Sequence, residues 1–197
     1  WTTKFRLKFE RPLILLKSLH SLNRQEHLKV FLQKGQDPMT RIITFSEAIR
    51  EGLDQAMAAD ENVIVFGLGV DDPKAIFGTT AGLQDTYGCE RVFDTPTSEN
   101  AMTGVGIGAA LNGIRSVMVH QRLDFFLLAM DQLVNGAAKW HFMFGGQGRV
   151  PITIRLIMGR GWGQGPTHSQ NLQAWFAHIP GLKVVMPASA EDAKGLL

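Results

Sequence analysis

Residues 91–113, RVFDTPTSENAMTGVGIGAALNG, form one predicted unit of strand, loop and helix. The short apolar segment at residues 91–94 predicts a strand, and the loop that follows it contains Pro96. Ser98 is a typical helix cap, and the residues after it predict a helix to about Leu111, which ends at an Asn-Gly pair. A strand that passes quickly into a helix is the repeating unit of α/β folds.

The same alternation extends on both sides of this unit. Thr44 and Glu47 have the spacing of a helix capping box, and Val63-Ile64-Val65-Phe66 is an apolar run typical of a strand buried on both faces. Further strands are predicted at residues 116–119, 152–157 and 182–186, and helices before Gly88, over residues 123–144 and 169–177, and from Ser189. Such alternation predicts an α/β domain of three α-β-α layers with a mostly parallel sheet.

Residues 1–38 differ in composition from the rest of the chain. They carry eight basic and three acidic side chains, so the overall net charge of +2 leaves −3 on the remainder. A mildly acidic domain argues against nucleic acid as the main partner. The segment also contains a helix-like apolar stretch around residues 13–22, and a targeting presequence and an upstream linker both fit it. We therefore predict a domain over residues 39–197, with at least one strand missing at its C-terminal end.

Composition restricts the class of protein further. Hydrophobic residues make up 45% of the chain and charged residues 19%, as in ordinary globular proteins. The longest aliphatic run, at residues 13–16, is too short to cross a bilayer. Cys89 is the single cysteine, so an internal disulfide is impossible and a reducing compartment is expected.

Glu99 is the first candidate site residue. In open α/β sheets, ligands bind beyond the carboxyl ends of the strands, and Glu99 follows such an end at the start of a helix. A structural explanation also fits, because the helix dipole stabilises acidic residues in a first turn. The nearby Gly104, Gly106 and Gly108 resemble a dinucleotide-binding pattern, but that pattern requires glycines directly after a strand. Inside a helix, Gly104 and Gly108 share one face, and we expect them to permit close packing.

Two more candidates follow later strands. Phe125 lies at the start of the predicted helix after residues 116–119, where an aromatic ring could line a cofactor pocket or simply fill the core. His168 follows a glycine-rich loop at residues 159–165, and loops of this kind after strands often belong to functional sites. A histidine there could take part in proton transfer.

The C-terminal third carries a specific resemblance. The stretches HSQ (168–170), AWFAHIPGLKVVMP (174–187) and EDAKGLL (191–197) closely resemble the beta subunit of 2-oxoacid dehydrogenase decarboxylating components. Pyruvate, branched-chain and acetoin dehydrogenases belong to that family. The likeness continues upstream through Asp94-Thr95-Pro96, Ser98-Glu99 and AMDQ (129–132), and it covers roughly residues 42–197.

The resemblance implies a fold of the transketolase pyrimidine-binding type and a thiamine diphosphate cofactor. A glutamate at the position of Glu99 would hydrogen-bond the aminopyrimidine ring and favour the imino tautomer, whose nitrogen removes the thiazolium proton. Phe125 would stack on the pyrimidine, and His168 would lie near the thiazolium end. The backbone carbonyl of Ile152 would contribute to a structural potassium site. The reaction would be oxidative decarboxylation of a 2-oxo acid, with acyl transfer to lipoamide.

The resemblance also implies partners. Thiamine diphosphate enzymes hold the diphosphate through a divalent cation bound by a Gly-Asp-Gly motif, which this sequence does not contain. The family places that motif on an alpha subunit, so no magnesium site is expected on this chain. A two-alpha, two-beta assembly with a lipoyl acyltransferase core is expected instead, without nucleic acid or membrane. Bacterial cytoplasm is the expected compartment, with the mitochondrial matrix as the alternative.

Other functions remain open at this point. The segment at residues 165–168 also suits the pyrimidine domain of a transketolase or deoxyxylulose-phosphate synthase. A nicotinamide-binding Rossmann dehydrogenase is disfavoured by the position of Gly104–Gly108, and a non-catalytic subunit scaffold is a third possibility. Residues 120–124 and the loop at 160–165 depart from the commonest pyruvate dehydrogenase pattern, so the sequence does not name the 2-oxo acid.

Overall fold

The computed structural model describes residues 13–18, 41–72, 74–159 and 164–197. Within them, the chain forms one six-stranded sheet in the order β3-β2-β4-β5-β1-β6, and every pair of neighbouring strands is parallel. The strands are β1 (Leu13–Ser18), β2 (Val63–Gly67), β3 (Val92–Asp94), β4 (Arg115–His120), β5 (Thr153–Met158) and β6 (Lys183–Val185). The predicted parallel α/β architecture is therefore confirmed.

Strand β1 was not predicted. Its backbone lies between β5 and β6, with Leu13 opposite Thr153 on one side and Lys183 on the other. The predicted helix is therefore wrong for residues 13–18, while residues 19–22 lie outside the described part of the chain. The local apolar pattern of Leu13–Ser18 is compatible with either structure, and pairing with two distant strands decides between them.

The helices follow the strands as expected, although several are shorter than predicted. They are α1 (Phe45–Ala59), α2 (Leu83–Tyr87), α3 (Glu99–Leu111), α4 (Leu123–Phe126), α5 (Ala138–Met143), α6 (Gln173–Ala177) and α7 (Ala190–Gly195). In α1, the predicted capping box is present: the Thr44 hydroxyl accepts a bond from the Glu47 amide, and the Glu47 carboxylate accepts one from the Thr44 amide. No helix among the described residues is long and apolar enough to cross a membrane.

The predicted helical segment over residues 123–144 is confirmed over residues 123–143, but its pitch changes along its length. After α4 the chain makes a 3₁₀ turn at Leu127–Ala129 and a π-helical segment at Gln132–Ala137 before α5 begins. Gly136 lies in the π-helical segment, where a Cβ atom would be 3.3 Å from Ile107 Cδ1. The changes of pitch let this long element follow α3 while it buries Phe126, Ala129, Leu133 and Ala137.

Each face of the sheet has its own apolar cluster. One is formed with α1 and α7 and contains Ile49, Leu53, Met57, Val65 and Ala193. The other is formed with α3, the α4–α5 segment and α6, and contains Phe66, Ile107, Phe126 and Phe176. Because neighbouring residues of β2 belong to opposite clusters, this strand is buried on both faces, as predicted.

The glycines of α3 have a different role from the predicted one. They do lie inside the helix, but Gly106 and not the Gly104–Gly108 pair makes the close approach. A Cβ atom on Gly106 would lie 2.7 Å from Ile152 Cδ1 and 3.1 Å from Phe66 Cζ, whereas one on Gly108 would meet nothing within 4 Å. Gly106 therefore allows α3 to pack directly on the sheet.

Candidate active site

A cleft of about 640 Å³ opens at the carboxyl ends of β2, β3 and β4. Its walls come from the residues that directly follow these strands, because a parallel sheet brings equivalent strand ends to one edge. They include Leu68 and Gly69 after β2, Thr95 and Thr97 after β3, and Gln121 after β4. Asp71, Asp72, Asp94, Glu99 and Phe125 complete the lining.

Asp94 braces this edge of the sheet. Its two carboxylate oxygens accept hydrogen bonds from the backbone amides of Gly69 at 2.7 Å and Val70 at 2.5 Å. The Thr95 amide donates to the Gly67 carbonyl at 2.9 Å, so the loops after β2 and β3 are tied together. Gly67 itself has φ +150°, and a Cβ atom there would lie only 2.1 Å from the Val119 carbonyl oxygen. Only glycine therefore fits at this position, where the backbone of β2 lies against the backbone of β4.

Glu99 lies where the sequence predicted it. It begins α3, only 8% of the residue is exposed, and it lines the cleft. Within the described part of the chain its carboxylate accepts no hydrogen bond, although its backbone carbonyl accepts one from the Thr103 hydroxyl at 2.8 Å. Ser98 occupies the predicted cap position, but its hydroxyl makes no capping bond. An unpaired carboxylate on a little-exposed residue that lines a cleft has its acceptor capacity free for a ligand.

Phe125 shares this cleft with Glu99, and His168 adjoins Phe125. The two rings meet edge-on, with centroids 5.2 Å apart. His168 ends a 3₁₀ turn at Pro166–His168, is half-buried, and has its Nδ1 atom 3.0 Å from the Thr167 hydroxyl. It is not among the residues that line the cleft itself. The structure thus brings Glu99, Phe125 and His168 to one region.

Ile152 lies apart from this region. Its side chain is 1% exposed, and it packs in the cluster beneath α3. No group of three or more His, Cys, Asp or Glu side chains that could hold a metal ion occurs among the described residues. The proposed potassium site at the Ile152 carbonyl remains a prediction.

Sequence reasoning missed several residues of the site. Asp71, Asp72 and Gln121 line the cleft, and all three follow strand ends, so their positions after β2 and β4 could have identified them. In the sequence, Arg122 and Asp124 stand out only as part of residues 120–124, which depart from the commonest pyruvate dehydrogenase pattern. Both are buried beside the site. No local signal distinguishes a buried charged residue of this kind from a solvated one.

The sequence matches the family "Transketolase, pyrimidine binding domain" over residues 41–197. The chain belongs to this family. Its site lies at the carboxyl ends of the parallel strands, and the predicted fold type is confirmed. A solved structure described as "Split gene transketolase, inactive beta4 tetramer" supports the fold, with a TM-score of 0.58, 17% identity, and coverage of 77% of this chain and 45% of that one.

Curated relatives of this chain include beta subunits of pyruvate dehydrogenase. It is 44% identical over 155 residues to the mitochondrial E1 component subunit beta-1 of Oryza sativa subsp. japonica, which covers 79% of this chain and 41% of the relative. It is 43% identical to subunit beta of Rhizobium meliloti, covering 79% and 34%, and 41% identical to the mitochondrial subunit of Bos taurus, covering 81% and 45%. The chain thus spans less than half the length of these relatives.

Proposed function

We propose that this chain is the part of a 2-oxoacid dehydrogenase beta subunit that binds the aminopyrimidine of thiamine diphosphate. The observation that carries the proposal is that Glu99, a little-exposed residue whose carboxylate accepts no hydrogen bond within the described residues, lines a cleft together with Phe125. The 44% identity to a pyruvate dehydrogenase beta subunit supports this assignment over other thiamine diphosphate enzymes.

The residues present fit the cofactor. A carboxylate at the start of α3 can accept a strong hydrogen bond from a protonated ring nitrogen, because the acceptor is charged and little exposed to water. When bound, thiamine diphosphate supplies the carbon that takes up the 2-oxo acid and an amino group whose tautomer depends on that hydrogen bond. The role of Glu99 is to hold the proton on the ring nitrogen.

Phe125 and His168 complete the proposed site. Phe125 would cover the flat pyrimidine with its ring, since aromatic stacking favours a planar heterocycle. His168 would donate or accept a proton close to the reacting carbon, where an imidazole can do either. The Ile152 carbonyl is proposed as one ligand of a structural potassium ion.

The remaining functions belong to partner chains. We propose an alpha subunit that supplies magnesium and diphosphate binding, in a two-alpha, two-beta assembly that passes the acyl group to a lipoyl acyltransferase core. The proposed substrate is a small 2-oxo acid. The bacterial cytoplasm is the proposed compartment, and the mitochondrial matrix is the alternative.

The test is Glu99→Gln in the full-length beta subunit assembled with its alpha subunit. Exchange of the thiazolium C2 proton with deuterium measures cofactor activation directly, and we expect it to slow by about 100-fold or more. Glu90→Gln, which changes an exposed carboxylate outside the cleft, is the matched control and should leave the rate unchanged. An unchanged rate in Glu99→Gln would favour a non-catalytic scaffold. Copurification with a lipoyl acyltransferase, and decarboxylation assays across several 2-oxo acids, test the partner and the substrate.

A further inference from the structure

The segment that carries His168 is held in place by two buried charged side chains at the start of α4. Arg122 provides the first anchor. Its Nη1 atom donates to the carbonyl oxygen of His168 at 2.6 Å, and its Nη2 atom donates to Gln164 Oε1 at 2.8 Å. Because the guanidinium is planar and rigid, two such bonds fix both the position and the orientation of the segment.

Asp124 provides the second anchor on the other side of His168. Its Oδ1 atom accepts hydrogen bonds from the Gln170 backbone amide at 3.2 Å and from Gln170 Nε2 at 2.9 Å. Arg122 is only 6% exposed and Asp124 only 8% exposed. Bonds to charged groups that water reaches poorly are stronger than the same bonds on an open surface.

Phe125 adds a third contact from the same short stretch, through its edge-on packing against the His168 ring. Residues 164–167, at the end of the glycine-rich loop and directly after it, are exposed, so local packing restricts them little. The bonds to the His168 carbonyl and the Gln170 amide, with the side-chain bond to Gln164, therefore determine where the imidazole lies relative to Phe125 and the cleft. The Arg122 and Asp124 side chains make these bonds without lining the cleft themselves.

We propose that Arg122 and Asp124 are positioning residues, which hold the His168 segment against Phe125 at the edge of the Glu99 cleft. Neither is proposed to touch the substrate or the cofactor. The inference deepens the proposed function, because it depends on a catalytic role for His168.

The test uses the full-length beta subunit assembled with its alpha subunit. Arg122→Met and Asp124→Ala should each lower kcat by about 10- to 100-fold, as a misplaced catalytic group does, with less than about a threefold change in the Kd for thiamine diphosphate. Asp124→Asn keeps the Oδ1 acceptor and should restore activity to within about threefold. Arg115→Met, at the opposite end of β4, is the matched control and should leave kcat unchanged.

A double-mutant cycle separates positioning from a general structural role. In an enzyme that already carries His168→Ala, adding Arg122→Met should lower kcat no further, because the group that it positions is gone. An equal loss in both backgrounds, or a loss in cofactor affinity alone, would overturn the proposal.

Hydrogen exchange distinguishes this failure from failure of the proposed function. Amide exchange over residues 164–170 should speed up in Arg122→Met and Asp124→Ala, whether or not His168 is catalytic. Unchanged exchange shows that the anchors do not hold the segment and overturns the positioning proposal. Faster exchange together with a fully active His168→Ala enzyme would show instead that the role of His168 is wrong, and with it the catalytic purpose of the anchors. Retained exchange protection in Asp124→Asn supports the anchoring.

Discussion

The ring of Phe125 meets the ring of His168 edge-on, with centroids 5.2 Å apart and an angle of 87° between the ring planes. This contact joins the start of α4 to the chain that follows β5, which lies next to β4 in the sheet. Since Phe125 also lines the cleft with Glu99, one ring serves both as a wall of the proposed cofactor site and as a support for the histidine.

Replacing Phe125 with leucine should therefore weaken cofactor binding. An aromatic pair contributes about 0.5–1.5 kcal/mol beyond its buried area, so we expect the Kd for thiamine diphosphate to rise by about 3- to 10-fold. Titration calorimetry on the assembled enzyme measures this change. Phe125→Tyr keeps the ring and should bind normally, and Phe142→Leu, an exposed position on α5, is a second control. Equal affinities in Phe125→Leu and the parent enzyme would show that the ring does not contact the cofactor.

The packing of α3 gives a prediction in which two substitutions of the same kind have opposite effects. Alanine at Gly106 would place its Cβ atom 2.7 Å from Ile152 Cδ1 in a closely packed core, and overpacking of this kind costs about 1–3 kcal/mol. Alanine at Gly108 meets nothing within 4 Å and should stabilise the helix by about 0.5–1 kcal/mol.

Urea unfolding measures the free energy of unfolding of both variants. Both replace a helical glycine with alanine, so they share the same gain in helix propensity and differ only in packing. The free energy of unfolding should therefore rank Gly108→Ala above the parent protein and Gly106→Ala below it. Equal effects at the two positions would mean that α3 does not approach the sheet as the structure shows.

These glycines also show what the sequence could and could not predict. The positions of β3, the Pro96 loop and Glu99 at the start of α3 followed from local signals, because turn residues and an apolar run mark them in order. Which glycine touches the sheet depends on the rotation of α3 about its axis, and α3 is apolar on more than one face. The sequence pattern pointed to the Gly104–Gly108 face, whereas Gly106 makes the contact.

Long-range contacts account for the other differences. Strand β1 exists because Leu13–Ser18 pairs with β5 and β6, and no local periodicity reports a partner so distant in sequence. The anchors Arg122 and Asp124 have the same origin, since both bind residues that lie beyond β5. Candidate site residues at strand ends were predictable from topology, but the side chains that orient them were not.

Arg91 should contribute more to stability than Arg115, an exposed arginine that also binds near the end of α1. Its guanidinium donates to the carbonyl oxygens of Met57, Asp60 and Val63 at 2.9–3.1 Å, next to the end of α1, and it stacks over Tyr87. Arg91→Met removes four charge-assisted hydrogen bonds to three carbonyl groups, so it should lose about 2–3 kcal/mol.

The matched control is Arg115→Met. Arg115 pairs with the Asp60 carboxylate at 3.2 Å but is 65% exposed, and exposed pairs contribute about 0–1 kcal/mol. Chemical denaturation compares the two variants directly. A loss at Arg115 as large as that at Arg91 would contradict the assignment of Arg91 as the link between α1 and the strands.

The burial of His120 should make the free energy of unfolding depend on pH. The residue is 1% exposed at the end of β4, its ring packs edge-on against Phe126 at 4.9 Å, and neither ring nitrogen has a hydrogen-bond partner among the described residues. Burial lowers the pKa of His120 to about 4, whereas an unfolded histidine titrates near 6.5. Between these two pH values the unfolded state binds the additional proton. Acidification from about pH 6.5 to about pH 4 should therefore cost up to about 3 kcal/mol of stability through this residue.

Comparison with His120→Phe isolates this contribution from other titrating groups. The variant keeps an aromatic ring against Phe126 and buries no unpaired nitrogen, so it should equal or exceed the parent protein in stability at pH 7. Its advantage should then grow as the pH falls from 6.5 towards 4, as measured by urea unfolding at pH 7, 6 and 5. His178→Gln, at an exposed histidine after α6, should show the pH dependence of the parent. A constant difference between His120→Phe and the parent at all three pH values would mean that water or a polar group reaches the imidazole in the folded protein.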